Sequence, residues 1–154
     1  MSPSVFEWLG GTEALNRLTQ HFYAKGSNDR LLAPVFAQMP PTHPAHVAAF
    51  VGEVFGGPPR YSEQKGAMAH RDMMIRHQGR HLTEEQRHRW MELLIETADE
   101  LGLPKDPEFR SIFVGYLEWG SRIAVEVSQT TEPLEDPGPM PKWGWGPGGE
   151  PRPS

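Results

Sequence analysis

The stretch HPAHVAAFVGEVFGGPPRYSEQ, residues 43–64, decides the fold by its spacing. His43, Val47, Phe50, Val51 and Val54 recur at helical intervals, so one face of a helix is apolar and meant for burial. Thr42 stands where a cap belongs. Pro44 falls in the first turn, where a missing N–H costs nothing. The sequence then changes character: GGPPRYSEQKG, residues 56–66, holds three glycines and two prolines in eleven residues. A loop with a special backbone path is expected from Gly56 to Gly66.

The same period extends outward on both sides. Toward the N-terminus, Leu15, Leu18, Thr19 and Phe22 share a helical face that Tyr23 borders, with Thr12 as the expected cap and Gly26 near the end. A short segment, Arg30 to Phe36, leads to a Met-Pro-Pro break at 39–41. Toward the C-terminus, a short helix should carry Met73, Met74 and His77. Thr83 and Gln86 form a capping box for a helix that turns Trp90, Leu93, Leu94, Thr97 and Leu101 inward. Asp106 and Pro107 open a last long helix with an apolar face from Phe109 to Val127. Strand-like alternation is missing, so residues 1–130 read as one all-α domain. Residues 131–154, TEPLEDPGPMPKWGWGPGGEPRPS, are dense in proline and glycine, have no period, and read as a disordered tail.

Composition narrows the chemistry. A length of 154 residues suits one domain around one buried cofactor. The chain has no cysteine, which removes disulfides, thiolate zinc sites, iron–sulfur clusters and thiolate-held haem together. Any metal must be held by nitrogen or oxygen. The net charge is -5, from 15 basic and 20 acidic residues, and no basic stripe follows any segment, so nucleic acid is not an expected partner. No basic start precedes an apolar run, and no apolar stretch has membrane length. A cytoplasmic protein with no membrane association is the expectation.

Three places could carry chemistry. His43 sits on an otherwise apolar face, either as a half-buried histidine bonded to backbone or as a functional group. Tyr23 and Trp90 end large apolar bodies with one hydrogen-bond donor each, and burial would demand partners for both. His77 and His81 stand at i,i+4 and could bind zinc together, but Gly79 interrupts the helix and no third carboxylate has matching spacing. One imidazole holding a haem iron, inside an apolar helical box with polar donors opposite, is the other reading of His77.

The ordered set Phe22-Tyr23, Phe36, His43-Val47-Phe50, Phe55-Gly56-Gly57-Pro58, Tyr61-Ser62-Glu63-Gln64, Arg76-His77 and Trp90 resembles the truncated haemoglobins, particularly their second group, over roughly Gly10 to Val127. The resemblance implies a 2-over-2 helical sandwich around haem b, with His77 as the metal ligand through Nε2. It implies that Phe36, Val47, Phe50, Met73, Arg76 and Trp90 contact the cofactor, Arg76 as a propionate contact. Tyr23, His43 and Trp90 become the distal donors to a small ligand. Phe36 replaces a tyrosine found in some members. Val51 stands where a bulky tryptophan or leucine is common, so extra space is expected beside the ligand.

What the resemblance implies about function is the binding of dioxygen and related diatomic ligands, carbon monoxide and nitric oxide among them. Redox chemistry is the alternative: nitric oxide dioxygenase or peroxidase-like turnover, with a reductase as electron donor. A haem-based sensor would need an output surface, for which the tail tryptophans Trp143 and Trp145 are the candidates. A haem-free interaction domain would leave a wide cavity unfilled at a cost of several kcal/mol, by the roughly 24 cal/mol per Å³ of engineered cavities. A homodimer is compatible with the charge balance.

Overall fold

Eight α-helices run through residues 2–152, the part of the chain that the computed structural model describes. They are α1 (Val5–Leu9), α2 (Gly11–Gly26), α3 (Ala33–Phe36), α4 (His43–Val54), α5 (Arg60–Lys65), α6 (Ala69–Ile75), α7 (Glu84–Glu100) and α8 (Pro107–Ser128), with a 3-10 turn at Gly66–Met68 before α6. No strand occurs among the described residues, and no helix is long and apolar enough to cross a membrane. The layers follow from which faces are apolar. α2 packs on α4 and α7, and α7 packs on α8, so one helical pair lies over another as a 2-over-2 sandwich.

Local signals account for most boundaries. Thr83 accepts from the Gln86 backbone N–H at 3.1 Å, while the Gln86 side chain accepts from the Thr83 N–H at 3.0 Å, completing the expected capping box. Asp106 accepts from the Phe109 N–H at 2.9 Å, and Pro107 follows at the first helical position. Two expected caps differ. α2 begins at Gly11 behind Gly10, whose φ of 117° breaks it from α1, so Thr12 lies inside the helix. Thr42 precedes α4 but makes no side-chain cap bond.

Two helices escaped the periodicity. α1 is short, yet Ser4 and Glu7 form a reciprocal capping box around it. α5 occupies part of the stretch expected to be loop from Gly56 to Gly66. Its core-facing residue is Tyr61, fully buried against Phe50 with ring centroids 5.2 Å apart. The special backbone path falls at the two ends of that stretch, at Gly56 with φ 94° and the close-packed Gly57, and at Gly66 with φ 76°. Gly57 donates to the Gly52 carbonyl at 2.8 Å, and a Cβ there would fall 2.7 Å from the Phe6 ring and 2.8 Å from that carbonyl oxygen. Only glycine permits so close an approach.

After α8 the chain has no helix or strand up to residue 152, and it lies against the helical body. Where the composition suggested a disordered tail, the structure gives an irregular segment with specific contacts. Met140 is buried, and the Trp143 N–H donates to the Val54 carbonyl at 2.9 Å, covering an open carbonyl at the end of α4. The Trp145 indole donates to the Pro3 carbonyl at 2.9 Å. Lys142 lies 3.5 Å from the carboxylate of Glu53, which is only 2% exposed and also accepts from Ser62. The expected boundary at residue 130 therefore separates helical from irregular chain. It does not separate packed from unpacked chain.

Candidate functional site

Between α4 on one side and α6 with α8 on the other lies an apolar cleft of about 1150 Å³, part of it open to solvent. Tyr23, Phe36, His43, Val47, Phe50, Met73, His77 and Trp90, all expected at a site, line it together. Five separate helices and the turn after α6 contribute these residues.

His77 is held from behind. It sits in the turn after α6, and its Nδ1 lies 2.9 Å from the Met73 carbonyl, one helical turn earlier. That carbonyl accepts, so Nδ1 carries the proton and Nε2 keeps its lone pair. Burial holds the imidazole pKa below the ordinary histidine value, and the neighbouring Arg80 and Arg76 push the same way, against the Met73 carbonyl. A neutral, oriented imidazole on the wall of an apolar cleft is the form a metal ligand takes. His81 adopts φ 50° and is exposed. No cluster of three or more His, Asp or Glu suited to a metal ion occurs among the described residues, so the pairing with zinc finds no support.

The other side supplies donors. Tyr23 packs edge-on to His43 with centroids 5.2 Å apart, and against Phe36 at 4.7 Å. Burial raises the Tyr23 phenol above its usual range, and the Trp90 indole beside it offsets part of this, so the hydroxyl keeps its proton. His43 is 9% exposed, and burial lowers its pKa to about 4, with His77, Arg80, His46 and Arg76 adding to the shift. It is neutral at physiological pH, with one nitrogen able to donate and the other to accept. Trp90 is fixed against Phe22, whose ring centre is 5.4 Å away.

The aromatic floor depends on one glycine. A Cβ at Gly26, the last residue of α2, would lie 2.0 Å from the Phe36 ring. Phe36 can sit beneath Tyr23 and Phe22 only because nothing projects there. Val51, with Val47, Leu15, Leu18, Phe113 and Leu117, lines a second apolar hollow that Tyr23 and Trp90 share with the main cleft.

Arg76 is engaged elsewhere. Its Nε is 3.0 Å from Asp72, which also accepts from the Tyr61 hydroxyl at 2.7 Å. Burial opposes ionisation of Asp72, but the tyrosine and the guanidinium more than offset it and hold its pKa below the usual range. The guanidinium thus ties α6 to α5 instead of lining the cleft. Sequence reasoning missed His70, Tyr116 and Trp119, which line it too. His70 had a legible signal, since it stands at i,i+3 and i,i+7 with Met73 and His77. Tyr116 and Trp119 on α8 had none beyond a general apolar face.

The cleft fits an iron porphyrin. Its lining is mainly apolar, His77 presents an unprotonated imidazole nitrogen, and neutral donors line it too, without a carboxylate among them. Comparisons with known proteins agree. A family model described as bacterial-like globin matches residues 4–114. Over 122 residues the chain is 28% identical to the group 2 truncated hemoglobin YjbI of Bacillus subtilis, covering 79% of this chain and 89% of that protein. Over 106 residues it is 30% identical to the group 1 truncated hemoglobin GlbN of Synechocystis, covering 67% and 82%. Among solved structures, a truncated oxygen-avid haemoglobin from Bacillus subtilis superposes with a TM-score of 0.69 at 28% identity, covering 80% of this chain and 99% of that one. The haemoglobin of Chloroflexus aurantiacus gives 0.68 at 27%, covering 80% and 98%. The chain belongs to the bacterial-like globin family, and its relatives there are truncated haemoglobins of groups 1 and 2.

Proposed function

We propose that the chain holds haem b through His77 and binds dioxygen and related diatomic ligands beside Tyr23, His43 and Trp90. The observation that carries this is the Met73 carbonyl 2.9 Å from His77 Nδ1, because it fixes the ring and leaves its Nε2 unprotonated at the cleft. Phe36, Val47, Phe50 and Met73 supply the apolar packing for the ring system. When bound, ferrous iron supplies the reversible coordination of diatomic gases that no side chain can provide.

The residues opposite do the rest. Tyr23 keeps its proton and can donate an O–H to a partly negative ligand atom, and Trp90 and His43 can donate N–H groups. Such bonds slow ligand escape, in keeping with a solved relative at 28% identity described as oxygen-avid. Apolar surroundings exclude water, which strengthens each of these bonds. Arg80 and Arg76, which both lower the pKa of His77, supply positive charge on the same side as the ligand histidine.

The deciding experiment is the ultraviolet–visible spectrum of the protein after addition of haem, in ferric, reduced and carbon monoxide-exposed forms. A Soret band that shifts on reduction and again with carbon monoxide is the expected result. A protein that binds no stoichiometric haem would sink the proposal while leaving the fold untouched.

A further inference from the structure

The aromatic wall of the cleft continues to the molecular surface, and nothing in ligand binding uses it. Tyr116 and Trp119, both on α8, line the cleft. Trp143, from the segment after α8, contacts both: its ring centre lies 5.4 Å from Tyr116 and 5.7 Å from Trp119, and those two are 6.1 Å apart. The three rings close a triangle. One member, Tyr116, is only 5% exposed, while Trp119 is 42% exposed and so meets solvent and cleft alike. The backbone N–H of Trp143 is anchored on the Val54 carbonyl, which fixes the third corner.

Tyrosine and tryptophan are the side chains most readily oxidised by one electron without bond rupture, and rings at these separations exchange electrons readily. Their ends differ in what they can do with a proton. The Tyr116 hydroxyl makes no side-chain hydrogen bond among the described residues and, at 5% exposure, meets far less water than Trp119 to take its proton when the ring loses an electron. The Trp119 indole, being exposed, can release its Nε1 proton to water. An oxidised state therefore settles at Trp119, at the surface.

We infer that Trp119, in contact with Trp143 and Tyr116, is a surface site of one-electron oxidation at which substituted phenols deliver reducing equivalents from solvent without entering the cleft. This rests on the haem reading above and takes hydrogen peroxide as the oxidant. Peroxide accepts two electrons and two protons in the cleft, its O–O bond breaks, and two waters result. Each electron comes from Trp119, whose indole proton passes to solvent. The resulting indolyl radical recovers a hydrogen atom from a phenol O–H, so two phenols yield two phenoxyl radicals per peroxide. An uncharged aromatic reductant suits an exposed indole, on whose face it can stack.

The test uses the haem-loaded full chain, with its Soret band recorded before anything else. One equivalent of peroxide is added, the radical is examined by low-temperature electron paramagnetic resonance, and oxidised residues are located by peptide mass mapping. Hydroxylated indole is expected at Trp119 or Trp143 and not at Trp8, whose ring packs instead on Trp145 at 6.5 Å. In Trp119→Phe, dimethoxyphenol oxidation per bound haem should fall by about tenfold. Oxidation confined to Tyr23 or Trp90, or a Trp119→Phe variant that oxidises dimethoxyphenol as fast as the parent, would overturn the inference. Absence of the Soret band would instead remove the haem reading, and this one with it, before peroxide is used.

Discussion

His77 is asked to be neutral, oriented and alone, and the Met73 carbonyl meets the first two demands with one bond of 2.9 Å. His77→Ala should lose most haem affinity in a Soret titration; retention at parental strength would reassign the ligand. Tyr23→Phe and Trp90→Phe should keep haem but release dioxygen faster. A hydrogen bond to a charged or strongly polar acceptor is worth roughly 1.5–3 kcal/mol, so the off-rate measured by stopped flow should rise about 10- to 150-fold for the dominant donor. His43 makes a separate prediction about pH. Its folded pKa of about 4 lies below the ordinary 6.5, so between these values the unfolded chain binds a proton that the folded chain refuses. Stability is then full above about 6.5 and falls as pH drops toward about 4, by on the order of 3 kcal/mol from this residue. Urea midpoints of the apoprotein should decline over that window and decline less in His43→Phe. An unchanged decline would assign the effect to His46, His70 and His77, whose pKa values are also lowered by burial. At this scale the sequence was readable where a polar residue interrupted an apolar period, as at His43, or joined others in a recognisable order, as Tyr23, His77 and Trp90 do. Arg76 was not, because its engagement depends on where Asp72 and Tyr61 stand in space.

A helix is legible when its apolar period is long and its ends carry caps, which is why α7 and α8 were expected with the capping pairs that they have. α5 was not expected, since six residues between Pro59 and Gly66 make too little periodic signal. What holds it is tertiary: Tyr61 buried under Phe50 and the Tyr61–Asp72 bond to α6. α1 had a readable box in Ser4 and Glu7 that its shortness hid. The junction of α2 with α3 offers the sharpest test of packing between elements. Gly26→Ala places a methyl 2.0 Å from the Phe36 ring, which has Tyr23 at 4.7 Å and Phe22 at 5.7 Å on its other sides. The ring or the end of α2 must move, at a cost of roughly 1–3 kcal/mol, typical of overpacking. Thermal unfolding should register it, and because Phe36 floors the cleft, haem should also dissociate faster. A variant with the parental melting temperature would mean that the chain after Gly26 yields freely, and Phe36 would lose its role as a fixed wall.

The whole molecule differs from its sequence reading chiefly after residue 130, and the reason is physical. Composition reports that a segment cannot form a core of its own, but says nothing about whether another surface offers one. Here the helical body leaves an end of α4 with an open carbonyl, a buried Glu53, and apolar ground beside Tyr116 and Trp119. Trp143 meets the first and the third of these features and Lys142 the second, and Met140 is buried as well. Fixing some twenty irregular residues costs much conformational entropy, so the segment can stay only where a few large side chains are well buried. Trp143 is the anchor by this reasoning, since it has both the Val54 bond and two aromatic neighbours. Trp143→Ala should therefore cost about 2 kcal/mol, less than the 3–5 of a fully buried aromatic, and lower the melting temperature by about 4–8 °C. Deleting residues 131–154 should lower it at least as far, because Trp143 goes with the rest. Protease sensitivity separates the two ways of being wrong. If Trp143→Ala leaves both the melting temperature and the cleavage rate after Lys142 unchanged, the segment does not lie on the body at all. If only cleavage quickens, the segment is held but carries no share of the stability of the globin.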